Sequence, residues 1–529
     1  KYENITIDGG DKATSYIKHT GGGDGRYVAG IVGHADDVES YTNCTVKNIT
    51  ISGGWLCGGI AGPGPSDGLA TGCSVENIDM GADYSGGMFG WYYGDGTIKD
   101  ATVKDVTFTD GSTCNGAIGG YSNNEDATVK NVIIDNVKNE NGKPIFTFAA
   151  TIADGTDIYY YATLEAAFTA ATEGQTITLL GNCDLSEKTI KVNNNITLDL
   201  NGDTITGTDK ATGSFALIEI QPGAELIIED SSEPSTGNIT LTSTNNREWN
   251  AYSSVISNQR GKLTVNGGTI EHLGGTDMAY GIDNLTNGKG TYAETVINGG
   301  TIKSTYRGIR QFLNGIEAQN ILTVNGGTIE GTNKSIWMQD PNKNANTGIL
   351  TVGEEANLIG NVYLYVAPNS TSWPVEVSIA AGALAEGSEV MTANLPLGID
   401  VQNINGTYGV VNVVAQIDGT YYQTFEAALN AVQDGETITV LNVEGSENKE
   451  LDFTEDIEFT ITGEAPNYAL PVVTFQNATV NIEDATILIP ELDARQDATI
   501  NVINSTVYDA GGNSIAKSYY NGAINISGN

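Results

Sequence analysis

With 529 residues the chain is too long for one compact core, and 65 acidic against 25 basic residues give it a formal charge of −40. Such a surface excludes nucleic acid, anionic membrane and any polyanion met without a bridging cation as partners. Glycine is abundant (66 residues) and only 17% of the chain is charged, which suits many backbone corners and few exposed helices. No apolar run reaches membrane-spanning length, so no membrane insertion is expected. Five cysteines in so long a chain imply no disulfide framework.

Residues 1–150 repeat themselves. Gly30-Ile31-Val32-Gly33 returns as Gly59-Ile60-Ala61-Gly62, Gly87-Met88-Phe89-Gly90 and Gly116-Ala117-Ile118-Gly119, at intervals of 29, 28 and 29 residues. A strand-like run follows each copy, beginning at Cys44, Cys73, Ala101 and Ala127. Glycines bracketing two apolar residues let backbone turn tightly at a corner. These four copies resemble the GLUG motif of β-helical segments in bacterial surface proteins, a likeness that implies architecture and says almost nothing of activity. Glu3-Asn4-Ile5-Thr6-Ile7 reads like Lys47-Asn48-Ile49-Thr50-Ile51. The chain therefore opens inside a repeat, and further sequence with an export signal is expected before it. The register predicts that Cys44 stacks on Cys73 as a buried thiol pair, with a disulfide sterically conceivable. Cys57 and Cys114 share a position, with Ser85 between them. Trp91-Tyr92-Tyr93, after Gly90, is either an exposed binding loop or the filling of a corner.

Around residues 154–181 the period changes. Apolar residues at 164, 167, 168 and 171 have helical spacing, Thr163 is a fair N-cap and Glu165 lies in the first turn. A helix is expected over 163–173, stopped by Gly174. The module recurs 261 residues on: Thr163 matches Thr424, Gly174 matches Gly435 and Gly202 matches Gly463. A second helix is thus expected over 424–434. Each suits the open end of a stack of strands, where apolar core would otherwise face water. The order Tyr-x-Thr-Leu/Phe-Glu-Ala-Ala, then Gly-x-Thr-Ile-Thr, resembles repeated modules of large surface proteins from host-associated bacteria.

Between Leu263 and Glu330 one phrase occurs three times. Thr264-Val265-Asn266-Gly267-Gly268-Thr269-Ile270 returns around Asn298 and again around Asn325. Short β-branched runs joined by turns, with no helical pattern between, describe coils of a right-handed parallel β-helix. Stacked at about 4.8 Å, Asn266, Asn298 and Asn325 would form an amide ladder, a structural role. The expected fold class is all-β, a β-solenoid in three segments: 1–150, 151–410 and 411–529.

A second register supplies the candidate ligand site. Ile256, Ile282, Ile309, Ile336 and Val362 align at intervals of 26 or 27 residues. If these point inward, the next residues point outward, giving a row of Ser257, Asp283, Arg310, Trp337 and Tyr363. Arg310 could pair with Asp283 and lie against Trp337. Exposed, the row is a platform for sugar rings; otherwise it ties strand to strand or lies under residues 273–295. The fold also resembles the pectin-lyase-like superfamily, which implies a polysaccharide lyase or glycoside hydrolase as an alternative. That carry-over fails residue by residue. No Gly-His-Gly is present (His34 sits in Gly33-His34-Ala35), Asp36-Asp37 lies outside the central repeats, and Arg307-Gly308-Ile309-Arg310 lacks the lyase proline. Asp199, Asp203, Asp277 and Asp283 leave a carboxylate pair open. No catalytic or metal residue is assigned, and calcium has no Asp-x-Asp-x-Asp-Gly loop to hold it. The expectation is a non-catalytic extracellular or cell-surface protein, an adhesin or stalk meeting polysaccharide or a host surface protein.

Overall fold

A computed structural model describes the chain except for residues 21–26, 35–39, 66–67, 93–95, 110–113, 123–127, 142–147, 210–212, 244–250, 276–277, 342–345, 369–374, 509–515, 519–520 and 528–529. The described residues form an all-β protein with two short α-helices. Contacts divide the chain into two units. One comprises 1–285, 292–310 and 324–335; the other comprises 286–291, 311–323 and 336–529.

In the first unit, strands pair in parallel with partners some 20–35 residues away in sequence. Thr45–Ser52, Ser74–Gly81 and Thr97–Phe108 lie side by side with Val46, Val75 and Val103 in register. All three valines are fully buried, as are Ile51 and Met80. Further along run three parallel ladders. One passes through Thr176–Leu179, Ile196–Asp199, Glu225–Glu229, Lys262–Val265 and Tyr292–Ile297. A second joins Cys183–Asp184, Thr204–Thr208, Asn238–Ser243, Thr269–Gly274 and Thr301–Ser304. The third joins Ile190–Val192, Phe215–Ile220, Ser253–Gln259 and Ala279–Lys289. Alternation sets the core: Leu226, Ile228, Leu263, Val265 and Ile297 are wholly buried while the residues between them are not. Each such side chain contributes about 1.5–3 kcal/mol.

Glycine and asparagine make the corners. A Cβ on Gly59 would sit 2.2 Å from the carbonyl oxygen of Gly87, and the Gly59 N–H donates to that oxygen at 3.1 Å. The close approach of successive repeats therefore needs glycine there. Asn48, Asn77 and Asp105 hold φ of 56°, 53° and 51°, the left-handed region Asn and Asp tolerate. Their side chains continue the stacking: Asn77 Nδ2 donates to Asn48 Oδ1 at 2.8 Å, and Asn48 to Asp8 at 2.9 Å. The predicted ladder is present too, Asn298 donating to Asn266 at 2.9 Å and Asn325 to Asn298 at 2.8 Å. In those repeats the second glycine carries the positive φ, 77°, 78° and 81° at Gly268, Gly300 and Gly327.

The fourth early repeat departs from the expected register. Gly87 meets Ala117, not Gly116, and Met88 donates to Ile118. Ser85 faces Cys57 and Asn115, while Cys114 faces Tyr84, so Cys57 and Cys114 do not share a position. Likewise Val129 pairs with Ile98 rather than Val103. One residue more between repeats moves every later partner, as strand register requires. Cys44, Cys57 and Cys73 are free and buried. Burial raises the Cys73 thiol to about 11, so the Cys44–Cys73 stack is a pair of inert thiols.

Helix α1 (Leu164–Ala170) and helix α2 (Phe425–Ala431) occupy the two expected places. Thr163 Oγ1 accepts from the Ala166 N–H and Thr424 Oγ1 from the Ala427 N–H, an N-cap in each case. Both helices end earlier than expected, because Ala171 and Val432 are already extended. Gly174 takes φ 76° three residues beyond that cap, in the turn into the next strand. Each helix buries the same three positions, Leu164, Ala167 and Phe168 or Phe425, Ala428 and Leu429. An antiparallel hairpin precedes each, Ala150–Asp154 with Asp157–Tyr161 and Ala415–Ile417 with Thr420–Tyr422.

In the second unit, α2 packs its apolar face into a core with Ile438, Phe459, Ile461, Phe475, Val480 and Ile500. Parallel pairing carries this core through Thr437–Val440, Glu458–Ala469, Thr479–Leu488, Thr499–Ile503 and Ala523–Ser527. A further amide ladder runs along it, from Asn525 to Asn501 to Asn481 to Glu458.

Candidate functional site

The row expected to face outward is buried for most of its length. Ser257 and Asp283 are in register, both wholly buried, and Arg310 is only 3% exposed. Arg310 makes a bidentate pair with Asp283, Nε to Oδ1 and Nη2 to Oδ2, each at 2.7 Å. Burial alone would weaken the guanidinium's hold on its proton; the Asp283 carboxylate more than restores it, and Arg310 stays charged. Its guanidinium lies 4.5 Å from the Tyr280 ring centre and 5.6 Å from that of Tyr252. Arg307 approaches the Tyr280 ring at 5.7 Å and the Tyr306 ring at 4.3 Å. These tyrosines cover the row, which the alternation of strand faces could not foretell. Trp337, in the second unit, is 8% exposed. Of the five, only Tyr363 is half-exposed, on a strand paired through Met391. Asp283, Arg310 and Trp337 therefore make no open platform; Asp283 and Arg310 are the polar interior of a sheet covered on both faces.

The carboxylates that might have served catalysis are similarly occupied. Asp199 accepts from the Ser231 N–H and hydroxyl and from the Asn201 N–H. Asp230 accepts from the Ser232 and Ser235 hydroxyls and from the N–H groups of Gly202 and Gly237. Burial works against ionisation of Asp230, but these donors outweigh it and hold the carboxyl at about 2. Burial and the Asp230 charge push Asp203 up. His272 is buried against the Ser253 hydroxyl at 2.8 Å. Asp36, Asp37, Asp277 and Tyr93 lie outside the described residues. Among the described residues no three His, Cys, Asp or Glu side chains gather as metal ligands, and no helix is long and apolar enough to cross a membrane.

The aromatic surface is elsewhere. Trp91 lies at the end of a strand, Phe89–Tyr92, rather than in a loop. Its ring meets that of Trp55 edge to face, with centroids 5.7 Å apart and planes at 82°. Trp55 is also edge-on to Tyr84 at 5.6 Å and to Tyr27 at 6.4 Å, and Tyr27 tilts against the exposed His34 at 4.4 Å. Tyr27, Trp55, Tyr84 and Trp91 are all half-exposed. The fold explains their convergence. Tyr27, Leu56 and Tyr84 share one register across three parallel strands, so Trp55, just before Leu56, falls between the two tyrosines. Each edge-to-face pair adds about 0.5–1.5 kcal/mol, which fixes the rings while leaving apolar faces to solvent. Sequence reading found Trp91 and missed Trp55, Tyr27 and Tyr84. The available signal was their constant offset before the Gly-x-x-Gly quartets: 3 residues for Tyr27 and Tyr84, 4 for Trp55.

Compared with protein-family models, with curated proteins and with solved structures, the chain finds no match.

Proposed function

We propose that this is a non-catalytic, extracellular β-solenoid protein whose aromatic cluster around Trp55 binds carbohydrate. The fold in this reading is a right-handed parallel β-helix in three segments, 1–150, 151–410 and 411–529, the last two headed by their helices. The three parallel ladders, with apolar residues alternating inward, support it. GLUG-type surface proteins are the resemblance that fits the early repeats, and an adhesin or stalk is the role that fits the architecture. A polysaccharide or the glycan of a host surface protein is the partner.

The observation that carries the reading is the cluster of Tyr27, Trp55, Tyr84 and Trp91, half-exposed and mutually braced. Sugar rings present C–H faces that stack on such aromatics, and rigid rings pay little entropy on binding. Neutral sugar also avoids the repulsion that the −40 charge imposes on acidic polymers. The test is a glycan array with wild type, Trp55→Ala and Trp55→Phe, with calcium and with chelator. Neutral glycan binding lost in Trp55→Ala and retained in Trp55→Phe is the expected result. Silence of the wild type in both conditions, or binding indifferent to Trp55→Ala, would overturn it.

A further inference from the structure

Lysines in paired strands of this chain face acids as a rule. Lys47 faces Asp8 and Glu76, and Lys303 faces Glu271 and Glu330. The register shift in the fourth early repeat breaks this rule by setting Lys99 directly opposite Lys130. Like charges placed opposite each other across strands are destabilising, and in a chain with so few bases the juxtaposition calls for a cause. Lys130 is partly compensated. It donates to Asp157 at 2.6 Å and lies 5.5 Å from the centre of the Tyr159 ring. Lys99 forms no ion pair among the described residues. Both ammonium groups line an open depression of about 600 Å³, with the Thr97 and Thr128 side chains in register beside them and Tyr159 at its end. That volume falls within the range of roughly 300–1,000 Å³ for small-ligand sites.

We infer that this depression is a separate saccharide subsite that takes an acidic sugar, its carboxylate or sulfate seated on Lys99. Asp157 neutralises one ammonium and leaves the other for the ligand. The threonine hydroxyls offer donors and acceptors to sugar hydroxyls, and the Tyr159 ring offers a face or an edge to the sugar ring. The overall charge sets the ligand's size. A short glycan with one acidic group meets the local cation, whereas a polyacid also meets the long-range repulsion of the whole chain. The subsite stands independently of the Trp55 cluster, which takes neutral sugar.

The experiment is titration calorimetry of the whole protein with three disaccharides that differ only in the terminal ring: glucuronate, glucose 6-sulfate and glucose. At least one acidic probe should bind about tenfold or more tighter than the neutral one, the value of one charge-assisted hydrogen bond. Lys99→Gln should abolish that advantage, Lys99→Arg should keep it, and Trp55→Ala should leave it unchanged. The order of the glucuronate and sulfate probes tells which anion the site takes. Equal affinity for acidic and neutral probes, no binding of any probe, or indifference to Lys99→Gln would each overturn the inference. The Trp55 reading fails separately, on neutral glycans.

Discussion

Arg310→Met isolates the energetics of the covered row. The substitution keeps an unbranched apolar stem and deletes the guanidinium, leaving the Asp283 carboxylate fully buried without its two 2.7 Å bonds. Breaking a buried ion pair from one side costs about 3–5 kcal/mol, because a desolvated charge is left behind. Removing both charges, in Asp283→Leu with Arg310→Met, should recover most of that loss. The coupling energy of the cycle should then exceed about 2 kcal/mol. A repeat array does not unfold as one unit, so a global melting curve would blur the effect. Amide hydrogen exchange at Ile282 and Ile309, whose side chains are wholly buried next to the pair, reads it locally. A loss near 4 kcal/mol corresponds to exchange faster by roughly a thousandfold. Acceleration below about fivefold, the scale of a surface ion pair under about 1 kcal/mol, would refute the claim that the pair is desolvated.

Other expectations are equally accessible. Asp230→Asn should destabilise its turn by about 1–2 kcal/mol, discounted for partial exposure. Because the folded carboxyl titrates at about 2, below its ordinary 3.8, its stabilisation is complete above about pH 4 and fades as pH falls toward 2; exchange at Gly202 and Gly237 between pH 2 and 5 tests both. Thr163→Ala and Thr424→Ala should each cost about 1 kcal/mol through loss of an N-cap, measured by urea-dependent exchange in each helix; a difference above twofold between them would contradict their equivalence. Cys73, with its thiol raised to about 11 and its sulfur buried, should resist a soluble disulfide reagent at pH 7.5 until urea unfolds the early repeats; fast labelling of the native protein would contradict the buried pair.

The sequence carried the repeats because period and chemistry coincide in them. Asn266, Asn298 and Asn325 stack as read, and the 261-residue echo returns as two helices with identical caps and buried positions. Register was legible only while the interval held. One residue more before Ile118 displaced Cys114 from Ser85, and no composition signal marks such an insertion. Whether an outward position meets water was beyond reach. Tyr252 and Tyr280 lie 58 and 30 residues before Arg310 and cover it only because three parallel strands bring them there. The Trp55 cluster escaped notice for a related reason, since its members are scattered in sequence and meet across strands.

The amide ladders also have a direction. Every link named above donates toward the N-terminal repeat: Asn525 to Asn501 to Asn481, Asn77 to Asn48, Asn325 to Asn298 to Asn266. Side-chain dipoles so aligned add up along the stack and polarise one another, with the positive end at the N-terminal side. Two ladders finish there on a carboxylate, Glu458 in one and Asp8 in the other. It is the arrangement an acid adopts at the first turn of a helix, reproduced without a helix. An aspartate is therefore welcome as the first member of such a column and costly inside it, where it would present charge to an oxygen that needs a donor. Deamidation of Asn298, which precedes Gly299, would put that cost at the centre of its column and make the ladder a record of the protein's chemical age.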